Sequence, residues 1–350
     1  MFDTIYPADS VEFCSHDTLK DIFVVGTYKL DQDDGDIEQQ DSSTQARPVS
    51  GVQDGYRCHM SPSSPATLGI ADSEGNITLH QWQETGLRQI QGIRIAESSE
   101  ILCLSLDWSN RRNPAAQLGS LVVSLSDGSL SILQARQWEL VLYQYNLLGM
   151  LMIMNHGFLP GIIGTLTWFS LVSFVSLLAN IRFYVHAGGD DLQMKGWDVR
   201  EDLTKPIFVN KRFDAGITSI QSHPYIENLI AVGSYDNLVR LFDIRKPSIP
   251  INQIDVGGGA WRVKWHPSST RKNDLLVACM HDGFKIVSFD HLLSDDSLRA
   301  NTGDGKIVKR FDEHESLAYG VDWSYATSEG DQTVIASCSF YDHLLHTWSG

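Results

Sequence analysis

Along much of this chain apolar and polar residues alternate every second position in runs of five to eight, and each run is closed by a cluster of small or acidic residues. That period is the signature of half-buried β-strands joined by tight turns. The unit recurs: an apolar strand, a small residue, an acidic turn residue, then a second alternating strand ending in an aromatic or aliphatic side chain. It is clearest at Ala187 to Arg200 (AGGDDLQMKGWDVR), Val232 to Arg245 (VGSYDNLVRLFDIR) and Ala336 to Trp348 (ASCSFYDHLLHTW). Weaker copies lie at Val123 to Leu133, Ala278 to Ser288 and Gly69 to His80, with a seventh suggested at Val24 to Leu30. A partner strand precedes most copies: Leu102 to Ser109 (ending LSLDWS), Ile217 to Pro224 (ITSIQSHP), Trp261 to Pro267 (WRVKWHP) and Ala318 to Ser324 (AYGVDWS).

A single unit of this kind cannot cover both of its own faces. Seven set radially cover one another and leave only short edges. The expected fold is therefore all-β, a seven-bladed WD-repeat β-propeller spanning residues 1–350 as one domain, with the partner strands innermost. Trp197-Asp198 is a literal WD dipeptide.

Aligned, the copies give a turn column of Glu74, Asp127, Asp191, Asp236, Asp282 and Asp342. A short carboxylate there accepts backbone hydrogen bonds and holds a tight turn, so this column reads as structural. The preceding residue varies as Ser73, Ser126, Asp190, Tyr235, His281 and Tyr341, and is large and polar in the later units. In a propeller these turns share one rim with the entries to the innermost strands. Trp261, Arg262 and Tyr319 should converge there with Asp190, Tyr235 and Tyr341.

Two stretches depart from the pattern. The acidic polar run at 31–45 lacks the apolar residues needed to offset ordering entropy and reads as a solvated, disordered loop. From 141 to 184 turn-bounded alternation is missing, and Phe158 to Ala179 is an uncharged run long enough to cross a bilayer. A crossing inside a closed ring would separate the blades on either side of it. Three readings stay open: sequence foreign to the native product, a membrane segment, or a buried insertion.

Acidic residues outnumber basic ones by 43 to 27, a net charge of −16, which opposes nucleic-acid binding. Five widely spaced cysteines without a C-x-x-C pair indicate neither a disulfide framework nor a zinc knuckle and fit a reducing compartment. The first residues, MFDTIYPADS, lack a basic segment followed by an apolar run, so the cytoplasm is the expected location. Membrane attachment enters only with the 141–184 segment. A closed ring with a charged surface can stand as a monomer.

Several sequences go beyond generic repeats: ADSVEFC at Ala8 to Cys14, GTYKL at Gly26 to Leu30 and LGIADSEGNITLHQ at Leu68 to Gln81. LSLDWS, HAGGDD, GSYDNLVRLFDIR, GGGAWRVKWHP, ACMHDGF and CSFYDHLLHTW then follow in order. This ordered set resembles the diphthine methyl ester hydrolase family of WD-repeat proteins over most of the chain. The resemblance implies removal of the methyl ester from methylated diphthine on elongation factor two, its protein partner, a step in diphthamide biosynthesis. It departs at the innermost strand of blade four, where the family carries aromatic and histidine residues and this chain has the uncharged segment.

Ester hydrolysis needs an activated water or nucleophile, a base, and donors for the developing oxyanion. The chain has no G-x-S-x-G elbow, and His314-Glu315 does not continue into H-E-x-x-H. No metal or other cofactor is indicated. What remains is His281 as general base, oriented by Asp282 or Asp342, with Arg262 stabilising the oxyanion. A histidine at such a turn can equally cap the fold. Tyr235, Trp261, Tyr319 and Tyr341, with Asp190, suit the trimethylammonium group of the substrate through cation–π attraction. Cys279 and Cys338 stand on apolar strands, where cysteine is usually inert packing. His223 and His266 precede prolines and read as turn residues, and His343 and His346 straddle a strand. The alternative is a non-catalytic propeller presenting its rim to protein partners.

Overall fold

The computed structural model describes residues 1–27, 58–59, 66–83, 86–98, 101–108, 120–136, 139–143, 170–177, 182–198, 200–201, 203–289, 305–326 and 332–350. The acidic run at 31–45 lies outside them, as do 144–169 and 178–181 of the apolar stretch. The described residues form seven antiparallel sheets, six four-stranded and one two-stranded. Their helical content is one short 3-10 turn, Ser269–Arg271.

The sheets follow one another along the chain, each a simple meander. Sheet one pairs Ala8–Phe13 with Phe23–Thr27. Sheet two runs Cys58–His59, Thr67–Ala71, Asn76–Gln83, Gly86–Arg94, and sheet three runs Cys103–Trp108, Leu121–Leu125, Leu130–Arg136, Glu139–Tyr143. Sheet four comprises Ser170–Leu177, Arg182–Gly189, Met194–Asp198 and Phe208–Asn210. Sheet five comprises Ile217–Ser222, Leu229–Ser234, Leu238–Asp243 and Asn252–Asp255. Sheet six comprises Arg262–Trp265, Asp274–Ala278, Phe284–Ser288 and Lys306–Phe311. Sheet seven comprises Ala318–Trp323, Val334–Ser339 and Leu344–Ser349, and its outer strand is Phe2–Asp3 from the start of the chain.

From sheet two to sheet seven, apolar clusters join each sheet to the next. Leu79 of sheet two meets Trp108 and Leu121 of sheet three, and Val122 and Ile132 of sheet three meet Val185 and Trp197 of sheet four. Met194 packs with Ile220 and Phe242, Leu241 with Trp265 and Val277, and Phe284 with Trp323 and Trp348. Ala8, Val11 and Phe13 then pack on Ala336, Cys338 and Leu345, bringing sheet seven back to sheet one. Successive sheets stacked face to face, with first strands adjoining and the chain's start completing the last sheet, form a β-propeller. The register Phe2↔Leu345 and Asp3↔Leu344 fastens that closure.

Both borders of the apolar stretch carry strands. Glu139–Tyr143 is the outer strand of sheet three. Ser170–Leu177 pairs with Arg182–Gly189 along its whole length and, as the first strand of sheet four, adjoins the first strands of sheets three and five. Among the described residues no helix is long and apolar enough to cross a membrane.

Candidate functional site

The first strands carry a repeated irregularity. In sheet one the register steps from Ala8↔Thr27 to Ser10↔Gly26, so Asp9 is an extra, bulged residue. The same step makes Leu104 extra in sheet three, Thr218 in sheet five and Tyr319 in sheet seven. A bulge bends the strand and re-aims its side chain. The residue that matches by sequence in sheet six is Trp261, immediately before the strand, its N–H donating to Ala278 O at 2.8 Å. Thr218 Oγ1 donates to Ala260 O, tying sheet five to the residue before that tryptophan. One mouth of the ring is thus lined by residues from a single strand position.

At that mouth the aromatic residues expected from the sequence meet. Trp261 and Tyr319 stack with centroids 4.6 Å apart and planes 18° from parallel. Tyr235 leans on Trp261 at 5.9 Å, Phe340 on Tyr319 at 5.2 Å, and Tyr341 on Phe340 at 5.0 Å. Trp261 is buried, Tyr235 and Tyr319 are partly covered, and Tyr341 is 64% exposed at the outer lip. Asp190 joins them from the turn of sheet four. A methyl group built on Gly216 would lie 2.6 Å from Asp190 Oδ1 and 3.2 Å from Tyr235 Cδ2, so both side chains close over one bare stretch of backbone.

The electrostatics follow from that crowding. Burial, with the charge of neighbouring Asp191 second, pushes the Asp190 carboxyl up to about 6. Burial raises the Tyr235 and Tyr319 phenols well above their usual range. Asp190 also acts on Tyr235, and Asp9 acts on both tyrosines. Both phenols are therefore neutral at physiological pH, and the Asp190 carboxylate carries negative charge above about pH 6. Asp9 is 5% exposed. Sequence reasoning passed over it because a lone Asp in an N-terminal strand looks like a polar-face residue. The available signal was its alignment with Trp261 and Tyr319 at the second position of ADSVEF, AWRVKW and AYGVDW.

The residues expected to carry the chemistry stand differently. His281 is exposed on the turn of sheet six, next to Met280, whose sulfur comes 2.8 Å from a methyl group built on Gly259 while Tyr235 Cδ1 lies 3.4 Å from the same point. Among the described residues no hydrogen bond joins His281 to Asp282. The Asp282 carboxylate instead accepts from Lys285 Nζ, and from Arg310 Nη2 at 2.7 Å. Both cations hold that carboxyl below its usual range, and Asp282 works as a turn anchor. Arg262 follows Trp261 and is partly buried.

Other turn carboxylates behave alike. Asp191 pairs with Lys195 and Asp236 with Arg240, each at 2.8 Å. In sheet two Asp72, not Glu74, accepts the turn N–H groups, from Glu74 at 2.9 Å and Asn76 at 2.8 Å. The remaining candidates are structural. His223 Nδ1 accepts from Ile226 N at 2.8 Å, and His266 Nδ1 from Ser268 N at 3.0 Å. His314 sits between two serines, its Nδ1 against Ser339 Oγ and its Nε2 2.8 Å from Ser337 Oγ, while Ser339 donates to Asp342. That set contains the residue types of a Ser-His-Asp triad. Yet Trp348 Nε1 also donates to Ser337 at 3.1 Å, the His346 ring lies 4.5 Å away, and burial holds His314 down to about 4. The network fastens sheet seven. Cys279 and Cys338 are wholly buried, and burial pushes the Cys279 thiol up to about 12, which leaves it an inert thiol.

No family model matches the chain. Individual relatives do. A Dictyostelium discoideum protein named diphthine methyltransferase homolog is 33% identical over 306 residues, 80% of this chain and 72% of its own length. The diphthine methyltransferases of Mus musculus and Homo sapiens are 31% and 29% identical, each across 92% of this chain and covering 68% and 74% of their own lengths. Repeat pattern, bulged first strands and aromatic mouth thus coincide with likeness along most of the sequence, and the chain belongs to the diphthine methyltransferase family.

Proposed function

We propose that this chain is a seven-bladed propeller acting in diphthamide biosynthesis, and that it hydrolyses the methyl ester of methylated diphthine on elongation factor two. The observation that carries this reading is the mouth itself, where stacked Trp261 and Tyr319, with Tyr235 and Tyr341, stand beside the carboxylate of Asp190. Aromatic faces attract a quaternary ammonium through their quadrupoles, and such a cation has no N–H to donate. A carboxylate supplies charge without requiring a hydrogen bond. Diphthine carries such a trimethylammonium group next to its carboxyl, so a cage for the cation presents the ester at the rim.

In this reading His281 takes a proton from the attacking water and Arg262 faces the oxyanion. The acyl oxygen bond to methoxide breaks, the proton passes to the leaving group, and methanol departs. His281 and Arg262 flank the cage in sequence, one residue beyond Met280 and Trp261. Asp282 holds the His281 turn through Lys285 and Arg310. An exposed base at a lip suits a substrate presented on a loop of a large protein.

The test is incubation of the full chain with elongation factor two bearing the methyl ester, following the substrate mass and released methanol. Loss of one methyl group, abolished by Trp261→Ala and by His281→Ala, is the expected result. An unchanged substrate mass with a folded chain that still binds the factor favours a non-catalytic propeller.

A further inference from the structure

Several first strands are tied to the next sheet by side chains that accept a backbone N–H. Ser219 Oγ accepts from Val263 N at 3.1 Å and Gln221 Oε1 accepts from Trp265 N, so sheet five holds sheet six twice. Asp322 Oδ2 accepts from Phe13 N at 2.8 Å and holds sheet seven to sheet one. At the positions of sheet six that match Ser219 and Gln221 stand Arg262 and Lys264. Neither side chain has an acceptor atom. Sheet six cannot hold sheet seven in this way, and that boundary is the one across which Trp261 and Tyr319 stack.

Lys264 makes a different connection. Its Nζ pairs with Glu12 of sheet one and lies 3.9 Å from Asp322 Oδ1 of sheet seven, and the lysine and aspartate side chains are each 5% exposed. Lys264, Asp322 and Glu12 occupy matching positions in AWRVKW, AYGVDW and ADSVEF, three residues past Trp261, Tyr319 and Asp9. One ammonium thus gathers the first strands of sheets six, seven and one, a level deeper than the stacked rings. At the same boundary Lys264 O accepts from Trp323 Nε1 at 2.9 Å.

We propose that Lys264 is a positioning residue of the aromatic cage: it sets the spacing of sheets six and seven at which Trp261 and Tyr319 stack, and thereby the affinity for the quaternary ammonium. The inference rests on the reading of this mouth as a trimethylammonium site. Apolar side chains of similar volume can often replace a buried ion pair without loss of stability. A role in position and a role in stability therefore come apart in a double variant.

Binding of choline to the full chain is followed by calorimetry, and folding by thermal unfolding. The stack is followed by the near-ultraviolet circular dichroism that Trp261→Phe removes. Lys264→Met combined with Glu12→Met should unfold close to the native temperature, yet bind choline about tenfold more weakly and lose the stack signal. Lys264→Arg should keep native affinity within about threefold. Native affinity and a native stack signal in the folded double variant, with Trp261→Ala losing choline, overturn the role of Lys264 and leave the cage reading intact. Unchanged choline affinity in Trp261→Ala means that the cage reading itself fails. If the double variant does not fold, Glu12→Gln, which keeps an acceptor of equal size for Nζ, supplies the comparison. Binding weakened about threefold then supports the role, and unchanged binding overturns it.

Discussion

Asp190 is held between two demands, since crowding at the mouth disfavours its charge while a cationic ligand requires it. Its carboxyl is raised from the ordinary 3.8 to about 6, so the stabilising contribution is complete below the unfolded value and is lost as pH rises through about 6. At neutral pH the charged Asp190 therefore costs folding free energy. Asp190→Asn should raise stability at pH 7 by about 1 kcal/mol, discounted for solvent at its exposed edge. The same substitution should weaken trimethylammonium binding. In the native chain affinity should strengthen between about pH 5 and 7, and in Asp190→Asn that rise should disappear. A calorimetric pH series that stays parallel for the two proteins would remove Asp190 from the site. Trp261 gives a second residue-level expectation: Trp261→Phe should keep part of the binding and Trp261→Ala lose it, because the face of the ring supplies the attraction.

Within the strand-turn-strand element, the turn carboxylates differ in what they hold, and their substitution costs should differ accordingly. Asp236 and Arg240 form a pair whose side chains are 8% and 5% exposed, and the guanidinium also covers Phe213 at 4.9 Å. Asp236→Ala leaves that cation buried and uncompensated, at a cost of about 3 kcal/mol. Asp127 accepts from Ser129 N at 2.8 Å in an exposed turn, so Asp127→Ala should cost about 1 kcal/mol. Equal urea midpoint shifts for the two variants would contradict this ordering. Such turns were legible in the sequence because the carboxylate, the small residue and the alternating strand are all local. Asp72 was misjudged in favour of Glu74 because the turn has the same length as the one at Asp127 while the carboxylate that accepts its N–H groups stands two positions earlier, which spacing alone does not reveal. The aromatic half of the site was legible for the same local reason. Asp9 was not, since its significance comes from a bulge and from a neighbour some 300 residues away in sequence, both set by ring closure.

Across the whole molecule, closure and the burial of histidines combine into one pH response. Burial, the leading cause in each case, lowers His186 in sheet four, His266 at the end of the first strand of sheet six and His314 in the loop before sheet seven to about 4. A histidine depressed on folding contributes stability that is complete above its unfolded value of 6.5 and is lost as pH falls toward the folded value. Each shift is worth up to about 3 kcal/mol, and the three act in the same direction. They lie in three sheets joined through successive apolar clusters, so cooperative unfolding at about pH 5 should take up nearly three protons at the histidines and release close to one from Asp190, a net uptake of about two. Urea midpoints should fall steadily from pH 7 to 5. His314→Gln, which retains hydrogen-bonding capacity toward Ser337 and Ser339, should lower the proton uptake by close to one. The last sheet is completed by Phe2–Asp3, so removal of the first three residues should open sheet seven, admit protons to His314 and shift the start of acid unfolding to higher pH. A truncated chain with the same acid profile as the native one would mean that the Phe2–Leu345 register contributes little to closing the ring, and that the apolar contact of Ala8, Val11 and Phe13 with Ala336 and Leu345 does so alone.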